Sequence, residues 1–538
     1  MPEKIFGTLD PFYESGPFLG RIAANTGFLE ALLQLDPFDK YHFFVSSGKV
    51  ASNCRWYLKN KFPSRLSKVS FYPRLDIIKF LGEHSYHVFH LSDCINHPAH
   101  LARLRNKCSR TIFPITSITH SLSYADYSHQ LLKQLWPGWS IKDAIICSSE
   151  CAREVLGKYF THLQSSYRLG NDFKPPRLEQ IPLGINYKEI DSSTEDEDTQ
   201  KNQFDKKKVN ILCLGRISSY SKMDILPILK SLQLAKIYGL NLNTIRLILA
   251  GGLDRKDDTV KKLSLFARNI GLETMVFPNP GHSMKVKLLR DSDIFISLAD
   301  NPQETFGLTI LEAQAAGLPV IASDYNGYKE LITHAENGFL VPTLGPDSTD
   351  YIDDLAPLVY DSESHLLLAQ NCAVDIHALA GTLTRLISSP ELRVAVARKG
   401  RQSAKQYDWP GIIKRYTDLW DQLNLEDDDR HLQEIRHPVH TPYADIFSGH
   451  TTDSWINSVV CLGKLGQAVY RKKDFPVIYS GISHLVTPDR IRMLLFLSRA
   501  PLKSSALIAR LCAALDIEPS TARMLLAWSV KQGLLQTS

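Results

Sequence analysis

Residues 301 to 330 read NPQETFGLTILEAQAAGLPVIASDYNGYKE. Two carboxylates, Glu304 and Glu312, stand eight positions apart. Between them Phe306-Gly307-Leu308-Thr309 leads into a run of good helix formers that stops at Gly317-Leu318-Pro319. The pattern predicts a helix opening beside Gly307, with Glu304 in the loop before it and Glu312 about one turn inside. The first turn of a helix carries backbone N–H groups without intrahelical partners and the positive end of the dipole, so this mouth suits an anion. Gly307 has no side chain to keep a phosphate from those amides. A lone pair of glutamates at this spacing needs no function, since one can cap the helix and the other can sit favourably near the dipole. The surroundings argue for more: residues 320–322 follow as a strand and Gly327 as a turn.

Outward from this stretch, apolar runs alternate with helical patterns. Runs at 209–214, 245–250 (followed by Gly251-Gly252) and 294–298 read as strands of a doubly wound α/β domain over residues 209–400. Upstream, runs at 4–7, 41–45, 86–90, 111–115 and 143–147 repeat the theme. A helix over 19–35 and another opened by Ser148-Ser149-Glu150 make residues 1–190 a second such domain, also with a parallel sheet and crossovers. Residues 191–208, DSSTEDEDTQKNQFDKKK, hold one aromatic and almost no aliphatic side chain, the composition of a polar linker. A late amphipathic helix is expected within 401–425. The acidic stretch Glu426-Asp427-Asp428-Asp429-Arg430 opens a further linker, 426–440. Residues 441–538 end in apolar residues at helical spacing. They read as three short helices with a break at Pro501 and a turn at 517–520, a pattern that resembles a winged-helix or small peptide-recognition domain.

The chain of 538 residues has room for two or three domains, and 44% hydrophobic with 22% charged residues is ordinary for a globular protein. A formal net charge of +5 is too small to indicate nucleic-acid binding by itself. Nine scattered cysteines form no CxxC pairs, which argues against a zinc site or a disulfide framework. MPEKIFGTLDPFYESG lacks a basic segment followed by an apolar core, and no run approaches 18 apolar residues. A cytoplasmic setting is expected.

Gly215-Arg216 follows the strand at 209–214, and Lys222 comes six residues after Arg216. Alone, these are two solvated basic side chains. Together after a strand they suit a diphosphate. Preorganised cations stabilise a leaving group that gains negative charge, and Arg offers a fork where Lys offers a mobile point charge. Gly16 and Gly20 lie between the first strand and first helix, where turns want glycine anyway. His120 ends the apolar stretch 115–119, a place where histidine is commonly structural. No residue pair stands out as nucleophile and acid.

Taken together, the 301–330 string and the G-R-x5-K pattern resemble glycosyltransferase family 4, retaining enzymes of GT-B fold. The resemblance spans roughly residues 1–425 and is strong over 209–425. It implies two Rossmann-like domains facing across a cleft, with 1–190 binding an acceptor, 209–400 binding a nucleotide-sugar donor, and the 401–425 helix crossing back onto the first domain. It further implies that Arg216 and Lys222 hold the diphosphate, that the backbone amides of Gly307, Leu308 and Thr309 beside Phe306 meet the distal phosphate, and that Glu312 accepts from the ribose hydroxyls. Glu304 would contact a donor-sugar hydroxyl near the reacting carbon, and His120 would stand near that sugar. A glycine, Gly20 rather than Gly16, would let the first domain approach the donor phosphate. The family often has adjacent glycines here, whereas Arg21 follows Gly20 in this chain.

The expected activity is therefore retaining, metal-independent hexosyl transfer from a UDP- or GDP-linked sugar to an acceptor the sequence does not name, with no cofactor. The same fold also serves sugar-nucleotide epimerases and phosphorylases. A phosphorylase of the glycogen kind would need a lysine for pyridoxal phosphate, and no motif for it is apparent. A reading of another class makes the protein a regulatory or binding protein acting through its winged-helix-like tail. There Arg471, Lys472, Lys473, Arg490, Arg492, Arg499, Lys503, Arg510, Arg523 and Lys531 face few acids. Protein or peptide docking, or a homodimer, is favoured there over nucleic acid. Lys59, Lys61, Arg65, Lys68 and Arg74, interleaved with Trp56, Tyr57, Phe62 and Phe71, also suit an acidic membrane surface, against the simpler reading of an amphipathic helix-and-loop face.

Overall fold

A computed structural model describes residues 3–14, 20–191, 204, 207–218, 220–252, 258–428, 430–452 and 458–537. Gly16, Asp429 and most of the 191–208 stretch lie outside the described residues. The chain divides into two compact units, Met1–Val439 and His440–Ser538.

The first unit holds two parallel sheets. One is built from β1 (Ile5–Thr8), β2 (Lys40–Val45), β3 (Val69–Pro73), β4 (Val88–Leu91), β5 (Ile115–Ile118), β6 (Ala144–Cys147) and β7 (Arg177–Gln180), in the order β3-β2-β1-β4-β5-β6-β7. The other is built from β8 (Val209–Leu214), β9 (Ile245–Gly251), β10 (Glu273–Pro278), β11 (Ile294–Ser297), β12 (Val320–Ser323) and β13 (Phe339–Val341), in the order β10-β9-β8-β11-β12-β13. Helices cover both, so the middle strands are buried on both faces and their sequences are unbroken apolar runs. Each order reverses beside its first strand, between β1 and β4 and between β8 and β11. Crevices at such reversals, beyond the carboxyl ends of the strands, are where doubly wound folds bind ligands.

Helix Trp409–Leu425 packs onto the first sheet, not the second. Trp420 Nε1 donates to Thr116 Oγ1 of β5 at 3.0 Å, and the Trp409 indole fills the space a Cβ would need at Gly27 and Gly184. One expected strand is displaced. The run at 111–115 is mostly loop, and the strand is Ile115–Ile118. Pro114 has no N–H to give a ladder, and Arg105 Nη1 takes the Phe113 carbonyl at 2.8 Å instead.

Four of the five basic residues noted near Trp56 are bonded within this unit. Lys61 pairs with Glu30, Arg65 and Lys68 pair with Asp36 at 2.9 and 2.8 Å, and Arg74 donates to the Leu9 carbonyl at 2.8 Å. Among the described residues no helix is long and apolar enough to cross a membrane.

In the second unit, helices Pro488–Leu497, Ser504–Leu515 and Pro519–Lys531 surround a core of Val460, Leu494, Leu507, Leu525 and Trp528. Strand Val459–Leu462 pairs antiparallel with Leu502–Lys503 on one side and Leu535–Thr537 on the other. Its 11 Lys and Arg against 6 Asp and Glu give +5, so the formal charge of the whole chain resides here and the remainder is neutral.

Candidate active site

Because β8 and β11 are adjacent, the loops leaving their carboxyl ends converge. Lys222, in the loop after β8, extends its ammonium to Glu304 Oε2 at 2.9 Å and to Thr309 Oγ1 at 3.4 Å. Gly215, where a Cβ would lie 2.8 Å from the Lys222 side chain, leaves room for that reach. Tyr328, fully buried, donates to Glu304 Oε2 at 3.3 Å and shares a 2.8 Å bond with Ser297 Oγ. Burial opposes charge on both Lys222 and Glu304, but each opposite charge outweighs that penalty: Lys222 is held above its usual pKa and Glu304 below its own. The pair is therefore an ion pair at neutral pH, with side chains only 13% and 17% exposed.

Helix Leu308–Ala315 opens beside this pair. Gly307 precedes it at φ +113°, a conformation that L side chains resist, and a Cβ there would stand 2.8 Å from the Tyr328 ring. Phe306 is buried beneath the mouth, and the first-turn amides of Leu308 and Thr309 follow. Deeper in the helix, Glu312 pairs with the buried Lys285 through Oε1, while its Oε2 is buried without a hydrogen-bond partner among the described residues. One oxygen of this carboxylate is thus charge-compensated and the other is free to accept.

Arg216 is exposed and donates to the Ser221 carbonyl and to Gln303 Oε1, both at 3.2 Å. Gln303 Nε2 in turn donates to His365 Nδ1 at 2.7 Å. Arg216 is thus bonded to the side chain of Gln303, the residue before Glu304 in the chain.

From the first sheet, His120 follows β5. Its Nε2 donates to the Ser92 carbonyl at 2.9 Å and lies 3.2 Å from Asn25 Oδ1, so the ring is a neutral tautomer with Nδ1 as its acceptor nitrogen. Burial lowers its pKa to about 4. The next residue bridges the sheets: Ser121 Oγ donates to the Gln303 carbonyl at 3.1 Å. Gly20 is the first, exposed residue of helix Gly20–Leu35 and meets no crowding.

The structure thus brings Lys222, Glu304, Phe306, Gly307, Leu308 and Thr309 together, with Glu312 one turn deeper, Arg216 at the rim and His120 on the facing sheet. Sequence reasoning missed Lys285, Gln303, Tyr328 and Ser121. A tyrosine after the Gly327 turn and a glutamine beside Glu304 carry no spacing signal, and each gains meaning only from the partner that folding supplies.

Residues 194–372 match the sequence model of the family described as glycosyl transferases group 1. Among curated proteins, a D-inositol 3-phosphate glycosyltransferase of Saccharomonospora viridis is 26% identical over 208 residues, 38% of this chain and 41% of that protein. One from Stackebrandtia nassauensis is 33% identical over 129 residues, 23% of this chain and 28% of that protein. The chain therefore spans about two fifths or less of these relatives' length. Among solved structures, Anabaena HepE in complex with UDP shares 15% identity at a TM-score of 0.53, covering 78% of this chain and 100% of that one. A glycosyltransferase of Rickettsia africae shares 16% at 0.52, covering 79% and 100%. These two share the two-sheet fold. Arg216, Lys222, Glu304, Gly307 and Glu312 all lie inside the stretch that matches the group 1 glycosyltransferases, and that stretch falls mainly in the second α/β domain.

Proposed function

We propose that this protein transfers a hexose from a nucleoside diphosphate sugar to a hydroxylated acceptor, with retention at the anomeric carbon and without a metal. The observation that carries the reading is the single ammonium of Lys222, bonded to the carboxylate of Glu304 and to Thr309 at the helix mouth. A diphosphate seated on the amides of Gly307, Leu308 and Thr309 lies within reach of that ammonium, and Arg216 supplies a second cation at the rim. Positive groups fixed where negative charge accumulates stabilise departure of the nucleoside diphosphate more than they stabilise the bound donor. Glu312 Oε2 accepts from the ribose, while Lys285 holds the other oxygen of that carboxylate.

In the reaction, the bond from the anomeric carbon to the distal phosphate oxygen breaks and the electron pair leaves with the phosphate. The acceptor oxygen bonds to the same face of the carbon, and its proton passes to the departing phosphate oxygen. Glu304 carries negative charge beside the ring as positive charge develops there. His120, neutral at physiological pH, presents an acceptor nitrogen to a sugar hydroxyl and does not compete for the phosphates. Gly20, at the start of its helix, provides the approach of the first domain to the donor phosphate.

A thermal-shift series with UDP, GDP and ADP, then their sugars, tests donor binding. UDP is the first choice because Anabaena HepE, of the same fold, was solved with it. Stabilisation by a uracil or guanine nucleotide is expected, and a melting temperature unmoved by every nucleoside diphosphate would overturn the proposal. Transfer of radiolabel from donor to a second molecule separates transferase from epimerase. For the C-terminal unit we favour a winged-helix-like docking module for a protein or peptide, supported by three helices on a three-stranded sheet. A reducing cytoplasm fits nine cysteines that are all free.

A further inference from the structure

Glu304 lies in a loop whose two flanking carbonyls are both held from the other sheet. Ser121 Oγ, after β5, donates to the Gln303 carbonyl at 3.1 Å. Ser149 Oγ, after β6, donates to the Thr305 carbonyl at 2.7 Å. These strands are neighbours, so the two hydroxyls reach across side by side. Ser149 is itself anchored: it is 1% exposed and accepts from Ala152 N at 3.0 Å as N-cap of helix Glu150–Ser166. The mouth of that helix is held in return by the second domain, where Glu330 accepts from Glu150 N and Cys151 N, each at 2.8 Å. Behind the loop, Gly327 packs so closely that a Cβ there would stand 2.4 Å from the Thr305 carbonyl oxygen. The peptide units on either side of Glu304 are thus clamped in front by two serines and behind by a glycine.

We infer that Ser121 and Ser149 are positioning residues for Glu304, so that the first domain, once seated, sets where the carboxylate stands against the reacting carbon. The inference rests on the role given to Glu304 above. Lys222 and Tyr328 hold Oε2 of the carboxylate from within the second domain, while the carbonyls on either side of Glu304 are held from the first. Seating of the first domain and competence of the donor site become one event, with Glu330 on the mouth of helix Glu150–Ser166 as the clasp. An unseated first domain leaves the helix amides of Leu308 and Thr309 and both cations in place and loosens the loop before them, so donor affinity is separable from turnover.

The test uses the full chain and three variants, Ser121→Ala, Ser149→Gly and the double. Glycine at an N-cap retains most of its stability, so Ser149→Gly removes the donor hydroxyl and spares the helix. The probes are UDP for affinity, UDP-glucose for UDP release, and hydrogen exchange of the 301–307 segment with UDP bound. Because misplacing a reacting group by about 1 Å costs up to roughly 100-fold, each single variant is expected to lose about 10- to 100-fold in kcat. UDP affinity should stay within about twofold, the exchange should quicken, and Ser121→Thr, which keeps the hydroxyl, should recover. A double variant with unaltered kcat and unaltered exchange would overturn the inference, as would parallel loss of UDP affinity. Glu304→Gln separates the two readings: wild-type turnover in that variant refutes the role of Glu304 itself, while exchange in the serine variants still reports the clamp. Should the wild-type chain release no UDP from UDP-glucose, exchange alone decides.

Discussion

Lys222 Nζ and Glu304 Oε2 meet at 2.9 Å across 82 residues of chain, because β8 and β11 pair where the strand order of the second sheet reverses. In this pair the ammonium satisfies a buried carboxylate and is also the charge a diphosphate would meet. Any substitution here acts on stability and on chemistry together, and the two must be measured separately.

Glu304→Gln keeps the shape and removes the charge. Turnover is expected to fall by roughly 10²- to 10³-fold, the usual cost of losing one preorganised group at a site of developing charge. UDP binding, followed by calorimetry, should change little. Lys222→Ala should lower both, since it removes a phosphate ligand and strands Glu304.

Lys285→Met leaves the half-buried Glu312 carboxyl without its partner. Breaking one side of a buried pair costs about 3–5 kcal/mol, read as a lowered urea midpoint. Glu312→Ala should instead raise the donor KM with kcat nearly unchanged, by about 10- to 100-fold for a lost hydrogen bond to a charged group. A deoxyribose donor should lose less affinity against Glu312→Ala than against the wild type.

Gly307→Ala forces a side chain into φ +113° and against the Tyr328 ring. A strained non-glycine residue costs on the order of 1–3 kcal/mol, and the methyl group also stands where the phosphate approaches. Loss of the UDP-induced thermal shift, exceeding the loss of intrinsic stability, is the expected signature.

Acid should unfold the first domain early. His42 and His120 are lowered by burial to about 4 and His90 to about 3. In the unfolded chain these rings protonate near pH 6.5, so below that pH the unfolded state binds more protons than the folded one. Stability is therefore full above pH 6.5 and declines as pH falls toward 4, by up to about 1.4 kcal/mol per pH unit for each ring. Denaturant midpoints from pH 7.5 to 4.5, with His90→Phe as comparison, check this. A flat profile would contradict it.

Chelation should leave the initial rate unchanged, because Arg216, Lys222 and the helix mouth supply the positive charge in the proposed mechanism. Complete loss of UDP release in EDTA, recovered by a divalent cation, would refute metal independence.

The sequence by itself determined the doubly wound class and the middle of both sheets. Central parallel strands are buried on two faces, so β1, β2, β4, β6, β8, β9, β11 and β12 are apolar runs visible without a structure. The strands that escaped notice, β3, β7, β10 and β13, are the four sheet edges. In β3, β7 and β10 half-buried residues mix polar with apolar and read as loop, and β13 is only three residues long, so pairing with a neighbour is what makes them strands. The helix mouth with Glu304, Gly307 and Glu312 was legible because its chemistry is local, set by residues within one short stretch of chain. What depended on tertiary structure was every contact between distant segments: Lys222 on Glu304, Lys285 on Glu312, Tyr328 beneath both Gly307 and Glu304, and two serines of one sheet on the carbonyls of another. Serine, glutamine and a buried lysine carry no periodicity, and their roles arise only where strand order brings their loops together.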